Sequence, residues 1–203
     1  MIAPVAAVCL RDAGGSVLEL PAHRWVAPAD PVEEELLARV RGPVLDVGCG
    51  PGRHLVALRE RGVFALGIDV SPSFVAIARS CHVNVLERSV FDAIPGAGRW
   101  AAALLLDGNV GIGGDPVALL ARLAALLRPD ARVIVEHEAD DYSDGGGHDV
   151  RLVRAETENA TGPWFRWTTV GPTRLEAAAR SSGWRVHERH DPGDRCFAEL
   201  VRR

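Results

Sequence analysis

Apolar and polar positions divide this chain into short apolar runs and longer segments in which apolar residues recur three and four positions apart. The first pattern is typical of buried strands and the second of helices. The runs predict strands at 44–47, 64–69, 83–86, 100–106 and 132–138, and the longer segments predict helices at 31–40, 53–61, 73–80 and 116–127. Such alternation, with short connections, predicts an α/β fold with a doubly wound parallel sheet.

The C-terminal part of the chain departs from this alternation. After a predicted helix over 172–181, residues 184–189 and 196–201 alternate apolar and polar side chains as two strands. Pro192, Gly193 and Asp194 lie between them and suit a tight turn. The sequence therefore ends in a predicted antiparallel hairpin.

One long segment, 139–171, interrupts the chain before the last helix. It is longer than a simple crossover needs, and its runs at 151–157 and 164–170 predict a small inserted β-hairpin. We expect a single domain over 1–203, with 1–42 as an N-terminal cap or lid and 139–171 as a substrate-side insertion.

The strongest candidate site follows the first predicted strand, where residues 44–53 read VLDVGCGPGR. Gly48, Gly50 and Gly52 allow a ligand to approach the backbone closely, and the helix that follows offers free N–H groups. A dinucleotide fingerprint would place its third glycine one residue later, and a carboxylate at Asp46 would repel a diphosphate. These features favour a cationic nucleoside without phosphate, which is S-adenosylmethionine.

With this strand, its D-x-G-x-G-x-G turn and its helix, the chain resembles the class I S-adenosylmethionine-dependent methyltransferases over about residues 31–201. The resemblance implies a mostly parallel seven-stranded sheet, S-adenosylmethionine as cofactor, and in-line methyl transfer to an oxygen or nitrogen atom of a small molecule. Two alternatives stay open: a non-catalytic protein that binds S-adenosylmethionine or S-adenosylhomocysteine, and a NAD(P)-dependent Rossmann oxidoreductase.

Further cofactor contacts are expected at the ends of later strands. Asp69 ends the second strand, where a carboxylate can accept both hydroxyls of a ribose, and Val70 suits the adenine face. The resemblance implies adenine contacts in region 88–92, with Asp92 competing for that role, and a methionine contact after the fourth strand. The expected cofactor-binding residues are Asp46, Gly48, Cys49, Gly50, Arg53, Asp69, Val70, Ser89, Val90 and Asp107.

Catalytic candidates follow the fourth and fifth predicted strands. Asn109 is expected to face the acceptor, and His137 and Glu136 are candidate bases for acceptors that must lose a proton. Strand alternation separates Phe165 and Trp167 from Trp164 and Arg166, so all four cannot line one pocket. The candidate substrate-binding residues are Trp25, Tyr142, His148, Trp164 and Arg166.

Composition limits the remaining classes. The 203 residues are 47% hydrophobic and carry a net charge of −4, which suits one domain and gives no reason to expect nucleic acid or an anionic membrane. Lysine is absent, which excludes Schiff-base chemistry and a P-loop. The four cysteines show no zinc spacing, so no metal is expected. We expect a cytoplasmic, bacterial protein that is a monomer or homodimer, without a membrane span or signal segment.

Overall fold

The computed structural model describes residues 8–12, 17–20, 22–141, 148–154 and 164–203, with backbone alone for 8–12, 17–20, 22 and 148–154. A 3₁₀ helix, Asn109–Gly114, lies between β6 and α5. The other elements, in chain order, are β1 (Val8–Asp12), β2 (Val17–Leu20), α1 (Ala22–Val26), α2 (Pro31–Arg39), β3 (Val44–Val47), α3 (Arg53–Glu60), β4 (Ala65–Asp69), α4 (Pro72–Ser80), β5 (Val85–Glu87), β6 (Trp100–Leu105), α5 (Pro116–Leu126), β7 (Leu127–His137), β8 (His148–Arg154), β9 (Phe165–Trp167), α6 (Pro172–Ser181), β10 (Trp184–His190) and β11 (Cys196–Arg202).

The central sheet has seven strands in the order β10-β11-β7-β6-β3-β4-β5. Strands β3 to β7 pair in parallel, whereas β11 runs antiparallel to both β7 and β10. The predicted doubly wound sheet with one reversed strand in a C-terminal hairpin is therefore confirmed.

Helix starts follow local chemistry. Asp30 accepts a hydrogen bond from the Glu33 N–H at 2.9 Å while the Glu33 carboxylate accepts from the Asp30 N–H at 3.0 Å, a reciprocal cap that fixes the start of α2. Ser71 and Asp115 cap α4 and α5 through their side chains alone, by accepting from first-turn N–H groups, and each of these three helices has proline at its first position.

Apolar side chains fill both faces of the sheet. On one face α5 and α6 bury Leu119, Leu123 and Leu175 completely. On the other face α2, α3 and α4 bury Leu37 and Leu58 among their core residues. A sheet covered on both sides explains why its central strands are almost wholly apolar.

The junction between α5 and β7 differs from the prediction. The helix ends at Leu126 and the strand begins at Leu127, so no loop separates them. The pairing of β6 with β7 shifts between Trp100 and Ala102, which leaves the residues around Pro129 in a bulge. A proline has no N–H to donate to a neighbouring strand, and a bulge is where a strand tolerates it.

A second sheet, which the sequence reading missed, has four strands in the order β2-β1-β8-β9. It joins the N-terminal segment to the insertion at 139–171, because β1 pairs with both β2 and β8. The antiparallel β8–β9 pair agrees with a hairpin in this insertion, but within the described residues the pairing joins 165–167 to 148–150, which precede the predicted first strand at 151–157. His148, a candidate substrate-binding residue, begins β8, where its backbone pairs with Trp167.

The smaller sheet meets the larger one at the 3₁₀ helix. The Thr168 N–H, just after β9, donates to the Gly111 carbonyl at 3.1 Å. A Cβ at position 111 would lie 1.8 Å from the Thr168 carbonyl oxygen, so only glycine fits against this backbone.

We expect Gly111→Ala to lower the free energy of unfolding by more than about 2 kcal/mol, because backbone atoms must move apart. Urea unfolding measures the loss. Gly183→Ala is the control, since φ is +82° there but nothing lies within 4 Å of the added Cβ; it should cost only about 1 kcal/mol of left-handed strain. Equal losses in the two variants would contradict the close approach.

Candidate active site

The glycine turn after β3 is held by the neighbouring strand β4. The N–H groups of Gly48 and Cys49 donate to the Ile68 carbonyl at 2.9 and 3.1 Å. The Asp69 carboxylate accepts from the Gly50 N–H and the Ser71 N–H, both at 2.8 Å. Asp69 therefore joins the ends of β3 and β4 in a fixed geometry.

Asn109 fixes the same turn from the other side. Its amide nitrogen donates to the Gly48 carbonyl at 2.9 Å. Gly48 has φ of +72°, and a Cβ there would lie 2.7 Å from that amide nitrogen. The turn therefore requires glycine at position 48 both for its conformation and for the close contact with Asn109.

The Cys49 side chain is buried in this turn. Its burial, followed by the charges of Asp46 and Asp69, raises the pKa of the thiol above its ordinary value. The sulfur is therefore a small neutral group and no nucleophile.

A cavity of about 460 Å³ opens at this turn, at the carboxyl edge of the parallel strands. Its volume lies in the range of small-molecule sites. Of the residues predicted from sequence, the cavity is lined by Trp25, Gly48, Cys49, Gly50, Arg53, Asp69, Val70, Ser89, Val90, Asp107, Asn109 and Arg166.

Aromatic side chains form much of the cavity wall. Aromatic residues make up 5% of the chain, yet the cavity is lined by Trp25, Phe74, Phe91, Phe165 and Trp167. Trp25 of α1 and Phe74 of α4 meet edge to face, with ring centroids 5.6 Å apart. Phe165, Arg166 and Trp167 all line the cavity, whereas the exposed Trp164 does not. The predicted separation of Arg166 from Phe165 and Trp167 is therefore wrong, and Trp164 alone of these four residues lies outside the lining.

At one end of the cavity, Arg53 is bound to several acceptors. Its Nη2 atom lies 2.8 and 2.7 Å from the two Asp107 carboxylate oxygens and 2.8 Å from Glu33 Oε1. Its Nη1 atom donates to the Arg24 carbonyl at 2.7 Å. Arg53 therefore ties α3 to the end of β6, to α2 and to α1.

His54 is buried between two carboxylates. Its Nδ1 lies 3.7 Å from Asp46 Oδ2, and its Nε2 lies 3.7 Å from Glu33 Oε2. Burial alone would lower the pKa of His54, but the facing Asp46 and Glu33 carboxylates raise it to about 9. Burial would likewise raise the pKa of Glu33, and the contact with His54 and the charge of Arg53 lower it to about 2.

Arg195, one residue before β11, completes this arrangement. Its guanidinium binds both oxygens of Glu136, at 2.8 and 2.9 Å, and also Asp30 at 2.7 Å and Glu33 at 3.0 Å. We call these connected groups the ionic cluster; its members are Asp30, Glu33, Asp46, Arg53, His54, Asp107, Glu136 and Arg195. Three of these members line the cavity: Arg53, His54 and Asp107.

Several predicted site residues are not among the described residues that line the cavity. Asp46 is 1% exposed and lies behind the turn against His54. His137 is buried, with its Nδ1 2.7 Å from the Glu138 carbonyl, and Glu136 is bound to Arg195. Their roles as bases stay predictions that this geometry does not favour. Tyr142 lies outside the described residues, and of His148 only the backbone is described.

The sequence reading missed the roles of Glu33, His54 and Arg195. Glu33 lies in the first turn of a predicted helix, where an acidic residue is ordinary. Arg195 lies beside a predicted turn, where an exposed arginine is equally ordinary. His54 directly follows the glycine turn, and that position was the one available signal. Nothing local shows that these residues meet, since Arg195 lies 162 residues from Glu33.

The residues present fit a nucleoside that carries an amino acid. Asp69, at the end of β4, offers carboxylate oxygens suited to a ribose diol, and the other end of the cavity holds charges of both signs on Arg53 and Asp107. Within the described residues, no group of three or more His, Cys, Asp or Glu side chains could hold a metal ion.

This fold and site define a nucleoside-binding α/β protein of the class I methyltransferase type. The chain belongs to the methyltransferase domain family, whose model matches residues 22–188. It is an S-adenosylmethionine-dependent methyltransferase, so the predicted family and cofactor are confirmed, and the nicotinamide alternative is set aside. Among the helices that the structure describes, none is long and apolar enough to cross a lipid bilayer.

Solved structures show the same fold. An S-adenosylmethionine-dependent methyltransferase from Bacteroides fragilis, in complex with S-adenosyl-L-homocysteine, is 25% identical, with a TM-score of 0.76 over 97% of this chain and 87% of that one. An amino pentose methyltransferase from Micromonospora echinaspora, with bound S-adenosylmethionine, is 19% identical (TM-score 0.65; 90% and 95% covered). The 1,6-didemethyltoxoflavin-N1-methyltransferase from Burkholderia thailandensis is 20% identical (TM-score 0.60; 85% and 77% covered).

The pKa values of His54 and Glu33 predict how stability depends on pH. The pKa of His54 rises from 6.5 to about 9 on folding, so its contribution is complete below pH 6.5 and is lost as the pH rises through 9. The pKa of Glu33 falls from 4.5 to about 2, so its contribution is complete above pH 4.5 and is lost as the pH falls through 2. We expect unfolding free energies measured in urea to fall towards both limits.

His54→Gln should flatten the alkaline fall. His187→Gln is the control, since His187 lies exposed on β10 outside the ionic cluster, and it should keep the wild-type profile. An alkaline fall of the same size in His54→Gln and wild type would show that His54 is not its source.

Proposed function

We propose that the protein transfers the methyl group of S-adenosylmethionine to an oxygen or nitrogen atom of a small-molecule acceptor bound in the 460 Å³ cavity. One observation carries the proposal: the glycine turn, the Asp69 carboxylate and the Arg53–Asp107 pair border the same cavity, which also has an aromatic wall. A cavity of this size, open beside the cofactor residues, favours an enzyme over a protein that only binds the cofactor.

The cofactor-binding roles follow from position. Asp69 would accept the ribose hydroxyls, because each of its oxygens keeps a lone pair beyond its backbone bond. Val70, Ser89 and Val90 would contact adenine; the Ser89 hydroxyl accepts from the Phe91 N–H at 3.3 Å and can still donate. Asp92 is exposed and accepts from the Ser89 N–H at 3.3 Å, so its side chain stabilises the loop over residues 89–92.

The methionine end would lie against the remaining cofactor residues. Gly48, Cys49 and Gly50 would present backbone groups to the ligand at the turn. Asp46 lies behind the turn, where its carboxylate faces His54. Arg53 would face the methionine carboxylate, and Asp107 would face the methionine ammonium.

Bound S-adenosylmethionine supplies a methyl group that its sulfonium has already activated, so the protein's task is to orient the acceptor and exclude water. Asn109 contributes by fixing the turn through Gly48. Among the lining residues that the structure describes, the carboxylates of Asp69 and Asp107 and the imidazole of His54 are all held by partners. We therefore propose that orientation, rather than a base in this wall, supplies most of the acceleration.

The acceptor class is supported by two observations. The aromatic wall and Arg166 suit a small organic molecule, with Trp25 in that wall and Tyr142, His148 and Trp164 as further predicted contacts. The Burkholderia thailandensis and Micromonospora echinaspora proteins act, by their names, on a toxoflavin precursor and an amino pentose. A net charge of −4 gives nucleic acid no attraction.

We further propose a cytoplasmic, bacterial enzyme that is a monomer or homodimer and forms one domain over 1–203. Scattered cysteines and a composition rich in Ala, Gly and Arg support the first two points. Shared pairing between β1 and β8 supports 1–42 as a cap and 139–171 as the substrate-side insertion.

Calorimetric titration with S-adenosylmethionine, S-adenosylhomocysteine and NAD(P)H tests the cofactor assignment. We expect micromolar binding of S-adenosylhomocysteine and none of NAD(P)H. Asp69→Asn should weaken this binding at least about tenfold (~1.4 kcal/mol), because an amide is a poorer acceptor for two hydroxyls.

Asp130→Asn serves as the control, since this carboxylate is exposed and pairs only with Arg128 among described residues. Thermal melting confirms that both variants fold. Binding of NAD(P)H without either adenosyl ligand would refute the proposed function, and full affinity in Asp69→Asn would remove Asp69 from the site.

A further inference from the structure

Glu136 lies outside the cavity lining, yet its carboxylate acts on a lining residue through the backbone. Its Oε2 atom accepts a hydrogen bond from the Asp107 N–H at 2.7 Å. Asp107 has φ of +55°, a left-handed conformation that few residues other than glycine adopt. This bond therefore stabilises the conformation from which the Asp107 side chain meets Arg53.

Arg195 fixes the orientation of Glu136. The two side chains form a fork of two hydrogen bonds, Nε to Oε1 at 2.8 Å and Nη2 to Oε2 at 2.9 Å. The side chains of Glu136 and Arg195 are 13% and 11% exposed, so solvent offers little competition. Asp30 and Glu33 hold the other side of the same guanidinium.

This arrangement uses the Glu136 oxygens as acceptors of fixed donors. A proton taken up by Oε2 would oppose both the Asp107 N–H and the Arg195 guanidinium, which point at the same atom. The geometry therefore favours a structural task at the cavity edge over proton abstraction from an acceptor.

We infer that Glu136, oriented by Arg195, is a positioning residue for cofactor binding, because it holds Asp107 in the left-handed conformation that presents its carboxylate to the methionine end of the cavity. The inference rests on the proposed function, which assigns Asp107 to the methionine ammonium. It gives Glu136 a different role from the base that the sequence predicts.

Two variants separate the roles. Glu136→Leu removes the acceptor, and we expect the dissociation constant of S-adenosylhomocysteine to rise at least about tenfold, the cost of a charge-assisted hydrogen bond. Glu136→Gln keeps an oxygen that can accept from the Asp107 N–H, so affinity should stay within about threefold of wild type. Glu199→Leu is the control: Glu199 is a buried carboxylate in the same sheet, paired with Arg132, and does not line the cavity.

A spectroscopic readout follows the hydrogen bond itself. The amide proton of Asp107, measured by NMR without ligand, should move upfield in Glu136→Gln, because a neutral oxygen accepts more weakly than a carboxylate. It should stay in place in Glu199→Leu. If Glu136→Leu does not fold, this shift decides the question in Glu136→Gln, and an unmoved resonance there overturns the inference.

The outcomes separate this inference from the proposed function. Unchanged affinity in Glu136→Leu, with weaker binding in Asp107→Asn, would overturn the inference and leave the proposed function standing. Equal losses in Glu136→Gln and Glu136→Leu would also overturn it, because the charge and not the acceptor would then matter. A wild-type protein that binds neither adenosyl ligand would overturn both.

Discussion

A carboxylate removed from water must be met by cations and donors, and Glu33 shows how far that requirement reaches. None of its surface is exposed, and its oxygens are met by Arg53, Arg195 and the buried His54. Each of these three groups also contacts a second carboxylate. Arg53 binds Asp107, Arg195 binds Glu136, and His54 faces Asp46. Removal of one member would leave its partner charged and buried, which is far more costly than the pair is stabilising. The ends of β3, β6 and β7 are thereby fixed relative to α2.

The ion pairs that neutralise Glu33 also fix the geometry of the cavity. The glycine turn is held on one side by Asp69 and on the other by Asn109, while the ionic cluster fixes Arg53 and Asp107 at one end of the cavity. Positions that would touch a ligand are thus set before any ligand arrives, which lowers the entropic cost of binding. The aromatic wall comes from side chains that do not belong to the ionic cluster, including Trp25 of α1 and Trp167 of β9.

Local signals explain how much of this could be predicted from the sequence. Buried strands, proline-led helices and the glycine turn depend on neighbouring residues, so the seven-stranded sheet with its reversed strand and most of the residues that line the cavity at the glycine turn could be predicted from pattern and resemblance. The smaller sheet is not among the predicted elements, although the apolar residues of β1 and β2 flank Gly14 and Gly15, which is a hairpin signal. The ionic cluster could not be predicted, because Asp30, Asp107 and Arg195 share no local pattern and meet only in the folded chain.

The position of Arg195 also bears on the order in which the chain acquires structure during synthesis. Its partner Asp30 lies 165 residues earlier, so α2 leaves the ribosome long before Arg195, and only the nearer cations Arg24 and Arg53 are present to pair with Asp30 and Glu33. Until β11 inserts between β10 and β7, the carboxylates of Asp30, Glu33 and Glu136 lack this shared counter-ion, and contacts of such large sequence separation form slowly. A nascent chain can therefore contain the glycine turn and its helix while the end of the cavity beside Asp107 is still unformed. Completion of the site is thereby coupled to release of the whole domain.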